Sequence, residues 1–144
     1  AQCLGLAQRL VELSVVYTRD RQQFGQPIGS FQAVQHLLAN VAVKLDYARA
    51  PVHRAAYDIA HGSARAAVAV SHAKLVACEA ALLAARNSIQ VHGAMGYTWE
   101  VDVHIFAKRA WSLDSAWGDR AFHKQRVADF VLCDGARIGA AETF

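Results

Sequence analysis

Cysteine is scarce and scattered: Cys3, Cys78 and Cys133 are the only three in the chain. An odd count without close spacing argues against a disulfide framework or a zinc site, and it suits a reducing, cytoplasmic compartment. Paired metal-ligand spacing is missing too. The seven histidines (His36, His53, His61, His72, His92, His104 and His123) form no H-x-x-x-H or E-x-x-H pair, so no metal site is expected. Charged or polar residues break every apolar run before it reaches the length of a membrane span. No basic leader opens the chain, so no signal peptide is expected. The opening "AQCLGLAQRL" starts in mid-helix without a cap residue, which leads to the expectation of a piece of something longer. There is no internal repeat and no low-complexity segment. The net charge is only +3. That permits an anionic ligand, but a nucleic-acid reading needs a basic stripe with a recognition helix, and none is identifiable.

What is present is helical periodicity. With 144 residues, 54% of them hydrophobic, the chain can bury a real core as one domain. Leu6, Leu10, Leu13 and Tyr17 step by four, three and four, and Val34, Leu38, Val41, Leu45, Ala48 and Val52 do the same. The pattern predicts helices over about residues 2–20, 31–61, 64–91, 99–112 and 119–132. Ser30, Ser63, Thr98 and Asp119 are the candidate N-caps. Pro51, inside the second run, is expected to kink or divide that helix. Long helices with short connections predict an all-α fold, an up-and-down bundle of about four main helices over residues 1–134. The tail 135–144 is expected to fray.

Two glycine-bearing breaks interrupt the helices. "RDRQQFGQPIGSFQ" (Arg19 to Gln32) is more elaborate than a bundle hairpin needs. Its arginines read either as solvated residues complementing a helix end or as a fork of donors for phosphate. "QVHGAMGYTWE" (Gln90 to Glu100) reads either as a helix C-cap and turn, or as backbone brought close to a ligand with Gln90 and His92 offering polar contacts. Its G-x-x-G follows a helix rather than a strand, so it is no dinucleotide fingerprint. Lys108, Arg109, Arg120, Lys124 and Arg126 read as a solvated face. Neither Ser112 nor Ser115 lies in a nucleophile elbow, and Trp99, Trp111 and Trp117 read as packing residues.

Taken in order, these segments resemble one family. The motifs R-x-x-F-G-x-x-I-x-x-F-Q and Q-x-H-G-x-x-G-Y, at this separation, resemble the C-terminal helical domain of acyl-CoA dehydrogenases, and the likeness covers nearly the whole chain. The resemblance implies the four-helix C-terminal domain of a larger flavin oxidoreductase of fatty-acid and lipid metabolism. The family's N-terminal helical and middle β domains are absent from this chain. The implied reaction converts an acyl-CoA substrate to its α,β-enoyl form. A carboxylate takes the α-proton and hydride passes to FAD. The implied partners are other subunits of a homo- or hetero-oligomer (a tetramer built as a dimer of dimers) and an electron-transfer flavoprotein or similar acceptor.

Position by position, the resemblance places Arg21 on the FAD pyrophosphate, with Phe24 in the same loop and Gln32 on FAD from the next helix. Gln90, Gly93 and Ala94 lie along the adenosine part. In the family both loops reach a neighbouring subunit's FAD. The catalytic glutamate of many members falls on Trp117, before Gly118, with Asp119 and Ala121 at the threonine and glutamine positions that follow. Tryptophan cannot accept a proton, so the catalytic base is unknown; Asp114 and Asp119, the nearest carboxylates, read as helix caps. Three expectations result: a dehydrogenase whose base lies elsewhere, a non-catalytic subunit completing a partner's FAD site, and a stand-alone helical binding module.

Overall fold

The computed structural model describes residues 1–136 and 139. Its helices are α1 (Gln2–Asp20), α2 (Gln32–Ala60), α3 (Ala66–His92), α4 (Val103–Ser115) and α5 (Arg120–Val131). Two two-residue strands, β1 (Gln22–Gln23) and β2 (Gln26–Pro27), form a hairpin after α1, and 3-10 turns cover Ile28–Ser30 and Gly93–Tyr97. The fold is an all-α up-and-down bundle of α1 to α4, with the short α5 packed on α3. The tail expected to fray lies mostly outside the described residues.

Helix direction follows from the two core clusters stacked along the bundle. One joins Ala7, Leu10, Val41, Leu45, Ala84 and Val103. The other joins Cys3, Ala77, Cys78, Ala81, Ala110 and Leu113, with Val52 packed against it. From the second cluster to the first, residue numbers rise along α1 and α3 and fall along α2 and α4. The chain therefore runs up, down, up, down. The connections after α1 and α3 share one end, and the α4–α5 connection lies at the other.

The centre of the bundle is α3, which packs against all four other helices. Its buried side chains are mostly small, including Ala77, Ala80, Ala81, Ala84 and Ala85, which lets its neighbours approach closely. Its exposed residues are mostly polar: His72, Glu79, Arg86 and Gln90. The expectation about apolar runs is revised: Ala66–Tyr97 is long and apolar enough to cross a membrane by length and composition. Every other helix of the bundle packs against it.

Buried polar groups on α3 are satisfied and tie it to its neighbours. The Ser14 and Ser88 hydroxyls lie 2.9 Å apart and share the Leu10 carbonyl. The Asn87 amide donates to the Leu37 carbonyl at 2.8 Å. Leaving such groups unpaired would cost about 1–3 kcal/mol each.

Pro51 does not divide its helix; α2 runs unbroken from Gln32 to Ala60. Of the four expected caps, Asp119 alone holds: its side chain accepts from the Phe122 N–H at 2.8 Å. The Ser30 hydroxyl instead donates back to the Pro27 carbonyl, and α2 is capped by Phe31 without a side-chain bond. Ser63 and Thr98 close local turns, accepting from the N–H groups of Arg65 and Glu100. Their helices consequently start later than predicted, at Ala66 and Val103.

Candidate functional site

The first loop is built on the last turn of α1. Arg19 lies inside that turn, where a cation complements the helix dipole. Arg21 lies beyond it, with extended backbone and its N–H bonded to the Tyr17 carbonyl at 2.9 Å. The Arg21 carbonyl in turn accepts from the Ile28 N–H at 2.8 Å, closing the hairpin. Phe24 and Gly25 form the two-residue tip, with φ of 53° and 79°. Positive φ at both central residues is the requirement of a type I′ turn. Glycine adopts it freely; phenylalanine does so at a cost of about 1–3 kcal/mol. The strained Phe24 ring is nevertheless 93% exposed, edge-on to Phe31 at 6.1 Å.

Gly29 seats this loop on α1, since a Cβ there would lie 3.1 Å from the Thr18 carbonyl oxygen. The Gln35 side chain donates to the Gly29 carbonyl at 2.9 Å. Gln32 then opens α2, at the partially positive end of a 29-residue helix. The hairpin escaped sequence reading because two-residue strands carry no detectable period. The available signal was the Phe-Gly pair where a tight turn needs positive φ.

The second loop is equally constrained. Gly93 ends α3 with φ of 59°. A Cβ on Gly96 would sit 2.8 Å from the Ile89 carbonyl oxygen, so this backbone approach needs glycine. Of the two readings of this break, the structure does not support His92 as an outward polar contact. It is buried, and its Nδ1 lies 2.8 Å from the Ser88 carbonyl. A carbonyl only accepts, so Nδ1 carries the proton. Burial pushes the His92 pKa below its ordinary value and keeps the ring neutral.

Tyr17 couples the two loops. Its ring stacks on His92 at 4.2 Å, and its hydroxyl donates to the His92 carbonyl at 3.4 Å. The same residue's carbonyl receives the Arg21 N–H.

Arg21, Phe24, Gln32, Gln90, Gly93 and Ala94 are all exposed, and all lie in the two connections at this one end or in the helix turns that adjoin them. Among the described residues, Arg21 makes no ion pair. This end of the bundle thus carries a guanidinium without an ion pair among the described residues, a helix N-terminus and two exposed side-chain amides. That chemistry receives an anionic group with polar flanks.

The opposite end has another character. Trp117 is exposed with φ of 55°, and Gly118 follows with φ of 101°. A Cβ on Gly118 would lie 2.7 Å from the Phe122 ring. Asp114 is not the cap expected; it lies 3.8 Å from the Arg120 guanidinium. The Lys74 ammonium closes α4, donating to the carbonyls of Leu113, Asp114 and Ala116. Trp99 and Trp111 are exposed as well, so the three tryptophans do not fill the core of this chain. Lys108 is exposed, as a solvated face requires, and its ammonium lies over the Trp99 ring at 4.1 Å.

The chain matches the family described as "Acyl-CoA dehydrogenase, C-terminal domain" over residues 1–132. It is 42% identical over 110 residues to the acyl-CoA dehydrogenase IpdE2 of Mycolicibacterium smegmatis, covering 76% of this chain and 33% of that protein. It superposes on a glutaryl-coenzyme A dehydrogenase in complex with glutaryl-CoA with a TM-score of 0.84 and 31% identity, covering 95% of this chain and 35% of that one. It also superposes on the FAD complex of PigA with a TM-score of 0.81 and 25% identity, covering 88% and 33%. The chain thus spans about a third of the length of these three relatives.

Proposed function

Because the chain belongs to the acyl-CoA dehydrogenase family, through its C-terminal domain, we propose that it is the flavin-contacting helical domain of an enzyme that oxidises an acyl-CoA thioester to its α,β-enoyl form. The observation that carries this reading is the loop end: six exposed residues from two connections and the adjoining helix turns, with a guanidinium that has no ion-pair partner among the described residues.

These residues fit FAD. Arg21 would hold the pyrophosphate in a two-pronged donor fork, with Gln32 and the first turn of α2 adding donors and a favourable dipole. Phe24 would lie against the same cofactor from the hairpin tip. Gln90, Gly93 and Ala94 would line the adenosine part, where a glycine with positive φ keeps side chains away from the ligand. FAD, when bound, accepts the hydride leaving the acyl β-carbon. Because the six residues form an outward surface rather than an enclosed pocket, the rest of the cofactor site comes from a neighbouring subunit. The proposed assembly is a homo- or hetero-tetramer built as a dimer of dimers, with an electron-transfer flavoprotein or similar protein as acceptor.

The α-proton needs a carboxylate within hydrogen-bond reach. Trp117 has only an N–H donor, Asp119 is engaged in capping α5 and Asp114 faces Arg120. The base therefore lies outside these residues. The same observation favours a second reading, in which this subunit carries no base and completes the FAD site of a catalytic partner.

Purified full-length protein, alone and mixed with candidate partner subunits, separates the two readings. Flavin absorbance and its bleaching by acyl-CoA in the protein alone support the first. Flavin held only in the mixture supports the second. Absence of flavin in every sample, with a monomeric protein, would leave only a helical binding module.

A further inference from the structure

A pair of thiols lies at the end of the bundle away from the proposed flavin surface. Cys3, near the start of α1, and Cys78, midway along α3, have their Sγ atoms 3.7 Å apart. They are 75 residues apart in sequence and both are buried, while Cys133 is exposed. A disulfide has an S–S length of about 2.05 Å, so closure needs a sulfur movement of under about 2 Å, within the reach of side-chain adjustment. Both thiols line a cavity of ≈ 330 Å³ that also meets Val52, Lys74, Leu113 and Trp117. That volume easily admits a small oxidant.

We propose that Cys3 and Cys78 form a two-thiol oxidation site that hydroperoxides convert to a disulfide joining α1 to α3. The two sulfurs have complementary roles. The Cys3 thiol hydrogen-bonds to Cys78, and with the Lys74 ammonium nearby this holds the Cys78 pKa down to about 7. The same hydrogen bond pushes Cys3 up, so Cys3 keeps its proton. The neighbouring Lys74 ammonium favours the thiolate at Cys78, and the thiolate is the nucleophile.

The chemistry balances with hydrogen peroxide as oxidant. The Cys78 thiolate attacks one peroxide oxygen and the O–O bond breaks, leaving a sulfenic acid on Cys78 and releasing hydroxide. The hydroxide takes the Cys3 proton and becomes water. The Cys3 sulfur then attacks the Cys78 sulfur, the S–O bond breaks, and the departing hydroxide takes a solvent proton. The protein loses two electrons and two hydrogens, and peroxide becomes two waters. Because both sulfurs line the cavity, closure also reshapes its wall. A dithiol reductant reverses the step.

The test uses the full-length protein with Cys133→Ser. It is treated with hydrogen peroxide, denatured, alkylated with a maleimide and weighed, and the peptides are mapped. The expected result is joint loss of both alkylation sites, a mass lower by two hydrogens, a Cys3–Cys78 cross-linked peptide and full recovery with dithiothreitol. Cys3→Ala in the same background should instead leave Cys78 as stable sulfenic or sulfinic acid with no cross-link. Both thiols remaining fully alkylatable, independent over-oxidation of each, or cross-links only between molecules would overturn the proposal. If Cys3→Ala does not fold, the Cys133→Ser protein decides the question alone.

Discussion

At one end of the bundle Arg21, Gln32 and Gln90 face outward, and among the described residues the Arg21 guanidinium has no ion pair. At the other end most polar groups are already committed: Lys74 to three carbonyls at the end of α4, Asp119 to the α5 N-terminus, Asp114 to Arg120, while the buried His123 Nε2 has no hydrogen-bond partner among the described residues. Glycine follows the same division. Gly29 and Gly96 let backbone press against backbone, which fixes the two outward-facing loops. Gly118 makes a sharp entry into α5 beside an exposed tryptophan. The difference teaches where a ligand can be received. One end offers unsatisfied donors on rigid supports, and the other ties its carboxylates and Lys74 to its own groups.

The largest expected effect that sharpens this contrast is at Gly96. Gly96→Ala drives a Cβ into the Ile89 carbonyl, which cannot swing aside. Denaturant unfolding should show a loss of about 3 kcal/mol, near the upper end for overpacking, and retained flavin should fall with it. Next is Lys74→Met at the opposite end. It removes charge-assisted bonds to the α4 carbonyls and should lower stability by about 2 kcal/mol, while flavin retained by the folded protein stays as in the parent. Parallel loss of flavin in that variant would break the proposed separation of the two ends.

The smallest effect is electrostatic. His92 is held neutral by burial, whereas in the unfolded chain it takes up a proton below about 6.5. The unfolded state thus binds more protons in that range, so the His92 contribution is constant above about pH 6.5 and is lost as pH falls below it. Unfolding midpoints at about pH 5.5 and about pH 7.5 should differ less in His92→Asn than in the parent. An unchanged pH difference would detach His92 from the loop support described here.

Helix pattern and topology were legible because apolar spacing is local and repeated. Asp119 was legible because its cap needs only the N–H three residues on. Ser63 and Thr98 misled because hydroxyls serve turns as readily as helix starts, and neighbouring geometry decides which. The burial of His92 depends on Tyr17, 75 residues earlier, and Cys3 meets Cys78 across the same gap. No local pattern reports such meetings. The tryptophans read as packing residues, but all three are exposed, and the described core is built from small and aliphatic side chains instead.

The central claim, that the outward loops hold FAD, is tested most directly by flavin retention in Arg21→Ala of the assembled full-length protein. Loss of a charge-assisted donor fork should weaken retention about tenfold, with Arg21→Lys intermediate. Helical content and unfolding midpoint should stay at parent values, because the exposed guanidinium holds nothing else. Unchanged flavin retention with a folded variant would contradict the account.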